Sequence, residues 1–193
     1  MSHLFAYLAR MKFIRRWGLM HNNYPENVQE HSQRVATIAH ALALIRNRMF
    51  AGAVDAERVA VLALYHDASE VFTGDLPTPV KYFSDDIRSA YRKIETRAQR
   101  RLLDMVPAGL REDFGALFEV QSEDRDLWQL VSAADKLCAY IKCVEEVSAG
   151  NREFASAERT LQTTVEQLGL PEVDYFVAEF LPSFRLTLDE LGS

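Results

Sequence analysis

The chain has few of the residues that cross-link small or extracellular folds. Its 193 residues include two cysteines, Cys138 and Cys143, and no Cys-x-x-Cys pattern. Because the two thiols are five residues apart on one predicted helix, they point in different directions. We therefore expect no disulfide and a reducing, cytoplasmic compartment. A structural zinc site built on thiolates is disfavoured for the same reason.

Excess positive charge and long apolar runs are also missing. The formal net charge is -6 at pH 7, which argues against binding a nucleic-acid polymer. A small phosphate ligand stays compatible, since one metal ion and one arginine can neutralise it. No uninterrupted apolar segment is long enough to span a bilayer, and the start of the chain lacks a signal-peptide pattern. We expect no membrane partner.

Alternating strand patterns, internal repeats and linkers are absent too, and apolar residues recur at helical spacing instead. This periodicity predicts one all-α domain spanning residues 1–193. Residues 73–79 are rich in Gly and Pro and break the pattern. The third predicted helix starts near residue 55 and carries His66 and Asp67. The other predicted helices cover residues 4–16, 27–49, 84–106, 110–120, 122–149, 153–168 and 172–181.

Local signals define some of these helices more closely. Asn27 and Glu30 resemble a capping box at the start of the second helix. Gly18 is expected to supply a left-handed cap after the first helix. In the helix that starts near residue 84, the apolar stripe predicts four inward-facing residues, Ile87, Tyr91, Ile94 and Leu102.

Four residues of metal-ligand type fall on the inward faces of three predicted helices. His66 and Asp67 end the strongly apolar run 58–64, and His31 lies on the apolar stripe of the second helix. Asp135 borders the stripe of the helix at 122–149. Buried ionisable groups need a partner charge or a metal. Two imidazoles and two carboxylates predict a mixed nitrogen and oxygen site for a divalent transition ion, with positions left open for water and substrate.

The order of these residues resembles the H…HD…D signature of the HD-domain phosphohydrolases. Further blocks resemble the bacterial HD-domain 5′-deoxynucleotidases over essentially the whole chain. The short signature alone is moderately specific, whereas five blocks in order are much more so. These blocks are Arg16-Trp17, Glu30-His31-Ser32, His66-Asp67-Ala-Ser-Glu70, Thr73-Gly-Asp-Leu-Pro-Thr-Pro79 and Ala134-Asp135.

The resemblance implies an HD-domain helical bundle that hydrolyses 2′-deoxyribonucleoside 5′-monophosphates and forms a homodimer. It implies one divalent ion, such as cobalt or manganese, with the ligands His31, His66, Asp67 and Asp135. It assigns catalysis to Glu70 and Arg16. The residues that it implies for substrate binding are Arg16, Trp17, His31, Asp67, Asp75, Leu76, Pro77, Thr78 and Asp135.

The residues themselves support parts of this assignment. Glu70 follows His66 by four and Asp67 by three, so a helix would place all three on one face. A carboxylate there can accept a proton from an activated water. Arg16 offers a planar fork of donors that suits phosphate oxygens. Because no histidine follows His66, a site with one metal ion is favoured over one with two.

Several alternatives stay open at the level of sequence. Arg16 can instead be a solvated helix end that complements the helix dipole, and Glu70 can orient a ligand histidine. Asp75 can be a turn residue, and Trp17 a core residue. A triphosphohydrolase of the HD type or a non-catalytic nucleotide-binding module would carry the same signature.

Overall fold

The structure is a computed structural model that describes residues 1–81, 83–119 and 121–192. In these residues the chain is helical and contains no β-strand, apart from an isolated antiparallel bridge between Arg15 and Asn27. The all-α prediction is confirmed. Short 3-10 helices connect several of the α-helices. The α-helices of the described residues are α1 (Leu4–Leu8), α2 (Val28–Met49), α3 (Ala56–Tyr65), α4 (Glu70–Thr73), α5 (Thr78–Lys81), α6 (Asp85–Asp104), α7 (Arg111–Phe118), α8 (Arg125–Ser148), α9 (Ala155–Glu166), α10 (Pro171–Glu179) and α11 (Leu188–Leu191).

The main core lies among α2, α3 and α8, with α9 and α10 packed against its outer side. Leu42, Leu62 and Leu130 are fully buried there. Burial of each such side chain stabilises the fold by about 1.5–3 kcal/mol. A smaller apolar cluster includes Ala68 and Leu102 and lies beneath the turn that follows α3. The two clusters thus support α2 and α3 up to the residues that carry the predicted ligands.

The capping box at the start of α2 is confirmed. The backbone N–H of Glu30 donates to Asn27 Oδ1 over 3.0 Å, and the backbone N–H of Asn27 donates to Glu30 Oε2 over 3.4 Å. These two bonds satisfy amide groups that a helix start otherwise leaves unpaired. They fix where α2 begins and therefore the direction in which His31, one turn later, points.

The prediction of one helix over residues 4–16 is wrong. Helix α1 ends at Leu8, and a 3-10 turn over Met11–Phe13 follows. Residues 14–16 leave the helical path because they pair with residues 26–28: Arg16 N–H donates to Glu26 O over 3.0 Å, and Val28 N–H donates to Ile14 O over 2.9 Å. Local periodicity does not reveal such long-range backbone pairing.

The predicted left-handed residue is also misplaced by one position. Trp17, with φ of 56°, has the positive φ, and Gly18 does not. A non-glycine residue in this region costs roughly 1–2 kcal/mol. Such strain persists only where surrounding contacts impose it, and it is concentrated at functional sites.

Two further predictions need correction. Helix α3 ends at Tyr65, so His66 is its C-cap and Asp67 lies in the turn beyond it, not in a continuing helix. On α6, Tyr91 and Leu102 are buried as predicted, but Ile87 is 37% and Ile94 50% exposed. The prediction for α6 is therefore correct for two of its four residues, because other described residues cover only part of the apolar stripe.

The stretch expected to be non-helical is shorter than predicted. Gly74, with φ of 69°, ends α4, and α5 already begins at Thr78, within the stretch expected to be non-helical. Residue 120, the predicted end of the segment at 110–120, lies outside the described residues.

Cys138 and Cys143 are buried free thiols, which confirms the expected lack of a disulfide between them. Of the helices in the described residues, none has both the length and the apolar character needed to cross a membrane.

Candidate active site

Three of the four predicted ligands converge. Single ligand atoms of His31, His66 and Asp67 lie within 4.8 Å of one another. His31 is completely buried in the first turn of α2, and the other two residues occupy the turn after α3. The packing of α2 against α3 brings these segments together. A cluster of this donor chemistry can hold a divalent transition ion.

The fourth predicted ligand, Asp135 on α8, lies beside this group without joining it. Its Oδ1 atom is 3.0 Å from His31 Nε2, and its side chain is 40% exposed. Burial opposes ionisation of Asp135, but the hydrogen bond and charge of His31 lower its pKa. The carboxylate is therefore anionic and adjacent to the ligand nitrogen of His31. A small movement would let it share a cation with that nitrogen.

His66 has the orientation expected of a metal ligand. Its Nδ1 lies 2.7 Å from the carbonyl oxygen of Ala63, so Nδ1 carries a proton and donates it. Its Nε2 is buried and lacks a hydrogen-bond partner among the described residues, although Asp67 Oδ2 lies 3.1 Å away. Burial lowers the pKa of His66, but Asp67, Asp135 and the Ala63 carbonyl together outweigh it and raise that pKa to about 9. A cation could take the place of this extra proton.

Arg16 reaches into the same group from the other side. Its Nε donates to Glu26 Oε2 over 3.3 Å, and its Nη1 donates to Asp67 Oδ2 over 3.4 Å. Its side chain is 13% exposed, so Arg16 is not a solvated helix end. Burial opposes its charge, but Asp67 and Asp135 raise its pKa further above the usual range. The two bonds use two of the five guanidinium donors.

The loop that carries Arg16 and Trp17 is held against α8. The Trp17 ring packs on Phe154 with 5.3 Å between ring centroids. Its indole Nε1 is shielded from solvent and has no hydrogen-bond partner among the described residues. Farther along the loop, the backbone N–H groups of Asn23 and Tyr24 donate to Glu146 over 3.0 and 2.9 Å. The strained conformation of Trp17 is thus imposed by contacts on its C-terminal side.

Glu70, the first residue of α4, is the most perturbed carboxyl group near the ligands. Its Oε2 atom is buried and has no hydrogen-bond partner among the described residues. Burial and the neighbouring charges of Asp67 and Asp75 raise the pKa of Glu70 to about 10. Such a group is a stronger base than an ordinary carboxylate and can hold a proton near neutral pH.

The segment predicted to contact the nucleotide follows Glu70. Asp75 is half-buried, and its pKa is raised by burial, with Arg16 opposing the shift and Asp67 adding to it. Leu76 and Pro77 are also half-buried, whereas Thr78 is exposed. Asp75 therefore interacts electrostatically with the group that contains Arg16. Nucleotide contacts of these four residues remain a prediction.

Glu26 is the residue that the sequence interpretation missed. It carries no predicted role, yet it is only 8% exposed and contacts Arg16 through both its side chain and its carbonyl oxygen. Its position directly before the capping-box residue Asn27 was the available signal. That signal was weak because the pairing with residues 14–16 is not visible locally.

Comparison with known proteins places this site in a family. A sequence model of the YfbR-like 5′-deoxynucleotidases matches residues 3–184. The chain belongs to the YfbR-like 5′-deoxynucleotidase family. A 5′-deoxynucleotidase of Vibrio vulnificus is 55% identical over 99% of this chain and 98% of its own length. The 5′-deoxynucleotidase YfbR of Salmonella newport is 55% identical over 99% of this chain and 96% of its own. The family expected from the sequence blocks is confirmed.

Solved structures share the fold of this YfbR-like chain at lower sequence identity. An HD-domain phosphohydrolase from Listeria innocua has a TM-score of 0.80 at 23% identity and covers 98% of this chain and 91% of its own. A cyanophage S-2L HD phosphohydrolase, solved with dA and one catalytic zinc ion, has a TM-score of 0.63 at 16% identity over 92% of this chain and 96% of its own. These similarities establish the HD-domain fold.

Proposed function

We propose that this chain hydrolyses 5′-monophosphates of 2′-deoxyribonucleosides to deoxynucleoside and phosphate, with the help of one divalent metal ion. The observation that carries the proposal is the convergence of His31, His66 and Asp67, in a member of the YfbR-like family. The unbonded, buried Nε2 of His66 fits a metal ligand better than a structural histidine. The zinc ion in the cyanophage relative agrees with this donor set.

The ion would be held by His31, His66, Asp67 and Asp135. When bound, a divalent ion makes water acidic enough to lose a proton near neutral pH and offsets charge on the phosphoryl group. Imidazole and carboxylate ligands accept cobalt, manganese and zinc alike. Our proposal is therefore for a transition metal, with cobalt or manganese as the first candidates.

The residues around the ligands supply the remaining functions. Arg16 binds phosphate oxygens through its free guanidinium donors, because its other donors are engaged by Glu26 and Asp67. Glu70, in the ionised form that a nearby cation favours, accepts the proton of the attacking water at Oε2. The water oxygen bonds to phosphorus, the bond from phosphorus to O5′ breaks, and O5′ takes up a proton.

Trp17 and residues Asp75, Leu76, Pro77 and Thr78 are proposed to line the nucleotide pocket. The hypothesis for the preference for deoxyribose is that Trp17 crowds the 2′ position, since its ring is fixed against Phe154. A change of Trp17→Ala is then expected to increase hydrolysis of ribonucleotides relative to deoxyribonucleotides. Unchanged selectivity, measured as the ratio of kcat/KM values, would count against the hypothesis.

The function is tested by a substrate panel. Phosphate release from deoxyribo- and ribonucleoside 5′-monophosphates is measured with cobalt, manganese or zinc and with a chelator. We expect metal-dependent phosphate release from thymidine 5′-monophosphate and other deoxy substrates. Release of triphosphate from deoxynucleoside triphosphates would instead favour a triphosphohydrolase. If the protein binds nucleotides but hydrolyses none of them with any of the metals, it is a non-catalytic nucleotide-binding module.

Two accompanying expectations belong to the same proposal. A homodimer is expected from the family resemblance, and light scattering at working concentrations would measure it. A cytoplasmic location is expected from the pattern of free cysteines and is measured by cell fractionation.

A further inference from the structure

Glu26 lies between two parts of the candidate site that come from different segments of the chain. Its Oε2 accepts a hydrogen bond from Arg16 Nε over 3.3 Å, and its Oε1 faces His31 Nδ1 at 3.9 Å. Its carbonyl oxygen also accepts from the backbone N–H of Arg16 over 3.0 Å. The side chain is 8% exposed. A carboxylate this buried is costly unless its oxygens serve groups that need them.

The contact with Arg16 determines how the guanidinium is presented. Glu26 holds the Nε edge, while Asp67 Oδ2 lies 3.4 Å from Nη1. If Asp67 alone held Arg16, the guanidinium would be free to turn and form two parallel hydrogen bonds with the ligand carboxylate. Glu26 opposes this by anchoring the opposite edge. The other donors of the fork are then directed toward a phosphate that lies next to the ligands.

The contact with His31 concerns the other ring nitrogen of a predicted ligand. Nδ1 of His31 is buried and has no hydrogen-bond partner among the described residues. When Nε2 of a histidine binds a cation, Nδ1 must carry the proton, and an acceptor for that proton fixes the ring orientation. At 3.9 Å the pair is too long for a hydrogen bond, so Glu26 faces His31 as a nearby negative charge, and Nδ1 can donate to it only after a shift of one of the two side chains.

We infer that Glu26 is a positioning residue that orients Arg16 for phosphate binding and His31 for metal binding. It touches neither the substrate nor the metal ion and acts through these two residues. The inference rests on the proposed function for the role of the phosphate. It also predicts a change in metal affinity, which can be measured without any catalytic turnover.

The main variant is Glu26→Gln, which has almost the same shape. A glutamine offers one oxygen and one amide NH₂, so it can accept from only one of the two donors and has no charge. We expect cobalt affinity, measured by calorimetry, to fall about 10- to 100-fold, as is typical for carboxylates that orient metal-binding histidines. We expect kcat/KM to fall by a similar factor, mostly through KM.

Glu145→Gln is the matched control. Glu145 on α8 forms an ion pair with Arg34 on α2, with 2.8 Å between Oε2 and Nη1. Neither residue is one of the predicted ligands. Replacement of Glu145 also removes one carboxylate from an ion pair and is expected to change neither cobalt affinity nor kcat/KM. A further variant, Glu26→Asp, keeps the charge but has a shorter side chain, and it tests the inference if Glu26→Gln does not fold. It is expected to have intermediate cobalt affinity.

A double-mutant cycle with Arg16→Ala separates positioning from general stability. If Glu26 acts on phosphate binding through Arg16, Glu26→Gln should not raise KM further in the Arg16→Ala background. Additive effects on KM, or a cobalt affinity of Glu26→Gln equal to that of Glu145→Gln, would overturn the inference. If the wild-type protein releases no phosphate, the proposed function fails, while the cobalt measurement still decides the role toward His31.

Discussion

Two glutamates in this fold, one fully buried and one half-buried with a shielded Oε2 atom, have pKa values shifted in opposite directions. Glu146 on α8 is completely buried, yet hydrogen bonds lower its pKa to about 2 against the opposing effect of burial. Lys142, Tyr24, Asn23 and Asn151 all donate to its two oxygens. Glu70 has an unbonded Oε2, and burial raises its pKa to about 10. The same side chain is thus stabilised as an anion in one region and held as an acid in the other.

The difference lies in the donors that surround each carboxylate. Around Glu146 the chain supplies donors for both oxygens, which is what a buried charge needs in a structural role. Around Glu70 it supplies further carboxylates, Asp67 and Asp75, and leaves an oxygen unpaired. A buried carboxylate whose oxygens all accept hydrogen bonds is typical of a group that stabilises the fold. A carboxyl group with a shielded, unpaired oxygen and a raised pKa next to metal-ligand residues is typical of a group that transfers protons.

The largest expected effect comes from changing Glu70, the unsatisfied member of the pair. Glu70→Gln removes the proton acceptor while keeping the shape, so kcat should fall about 10²- to 10⁴-fold, the usual contribution of a general base. The measurement is phosphate release from thymidine 5′-monophosphate at saturating substrate and metal.

Metal content provides the control for this variant. Glu70 is not among the proposed ligands, so Glu70→Gln should bind cobalt as tightly as the wild type in calorimetry. A variant with the wild-type kcat would rule out proton transfer by Glu70. Loss of both cobalt and activity would instead indicate that Glu70 maintains the ligand geometry.

The next-largest effect is expected at Glu146, the glutamate whose two oxygens both accept hydrogen bonds. Lys142 is 2% exposed and donates to Glu146 and to the carbonyl oxygen of Tyr24. Lys142→Met leaves a buried carboxylate without its cation and should cost about 3–5 kcal/mol of unfolding free energy in urea titrations. The double variant Lys142→Met, Glu146→Leu should be less destabilised than the single one, because no uncompensated charge is left.

An exposed ion pair of similar type is the comparison for this experiment. Arg185 pairs with Glu158 over 2.6 Å, and the arginine side chain is 46% exposed. Glu158→Gln should therefore change the unfolding free energy by only about 0–1 kcal/mol. Equal losses in the two pairs would mean that burial does not distinguish them.

The parts of the site that the sequence predicted lie on helices with clear apolar faces. His31, His66 and Asp67 could be placed because inward helical positions carry polar groups only for a reason. The spacing placed them on the right side of α2 and at the end of α3, although the turn at His66 was not foreseen. Asp135 was placed near the group, but its exposure was not readable from a border position.

The parts that the sequence did not predict depend on contacts between distant segments. The role of Glu26 follows from backbone pairing between residues 14–16 and 26–28. The conformation of Trp17 follows from contacts of its ring with Phe154 and of residues 23–24 with Glu146. Lys142 and Glu146 are four residues apart and look like an ordinary surface pair on a helix. They are surrounded by residues from other segments, because residues 23 and 24, Asn151 and the Phe154 ring all contact them.

The smallest expected effect is a difference in pH dependence between the two glutamates. Without metal, the folded-state pKa of Glu70 is about 10, above the roughly 4.3 of an unfolded glutamate. Its contribution to stability is therefore fully present below about pH 4.3 and declines as the pH rises toward 10. Glu146, with a lowered pKa of about 2, contributes fully above about pH 4.3 and loses its contribution as the pH falls toward 2.

Glu70→Gln should accordingly stabilise the chelator-treated protein at neutral pH. The expected gain in unfolding free energy is close to zero at about pH 4.3 and grows as the pH rises, because the unfolded carboxyl group ionises there while the folded one still holds its proton. Urea titrations of both proteins at a series of pH values measure the difference, in which the other titrating groups largely cancel. Cobalt should shrink the gain, because a nearby cation favours the ionised carboxylate. A gain independent of pH would show that Glu70 is not held as an acid in the metal-free fold.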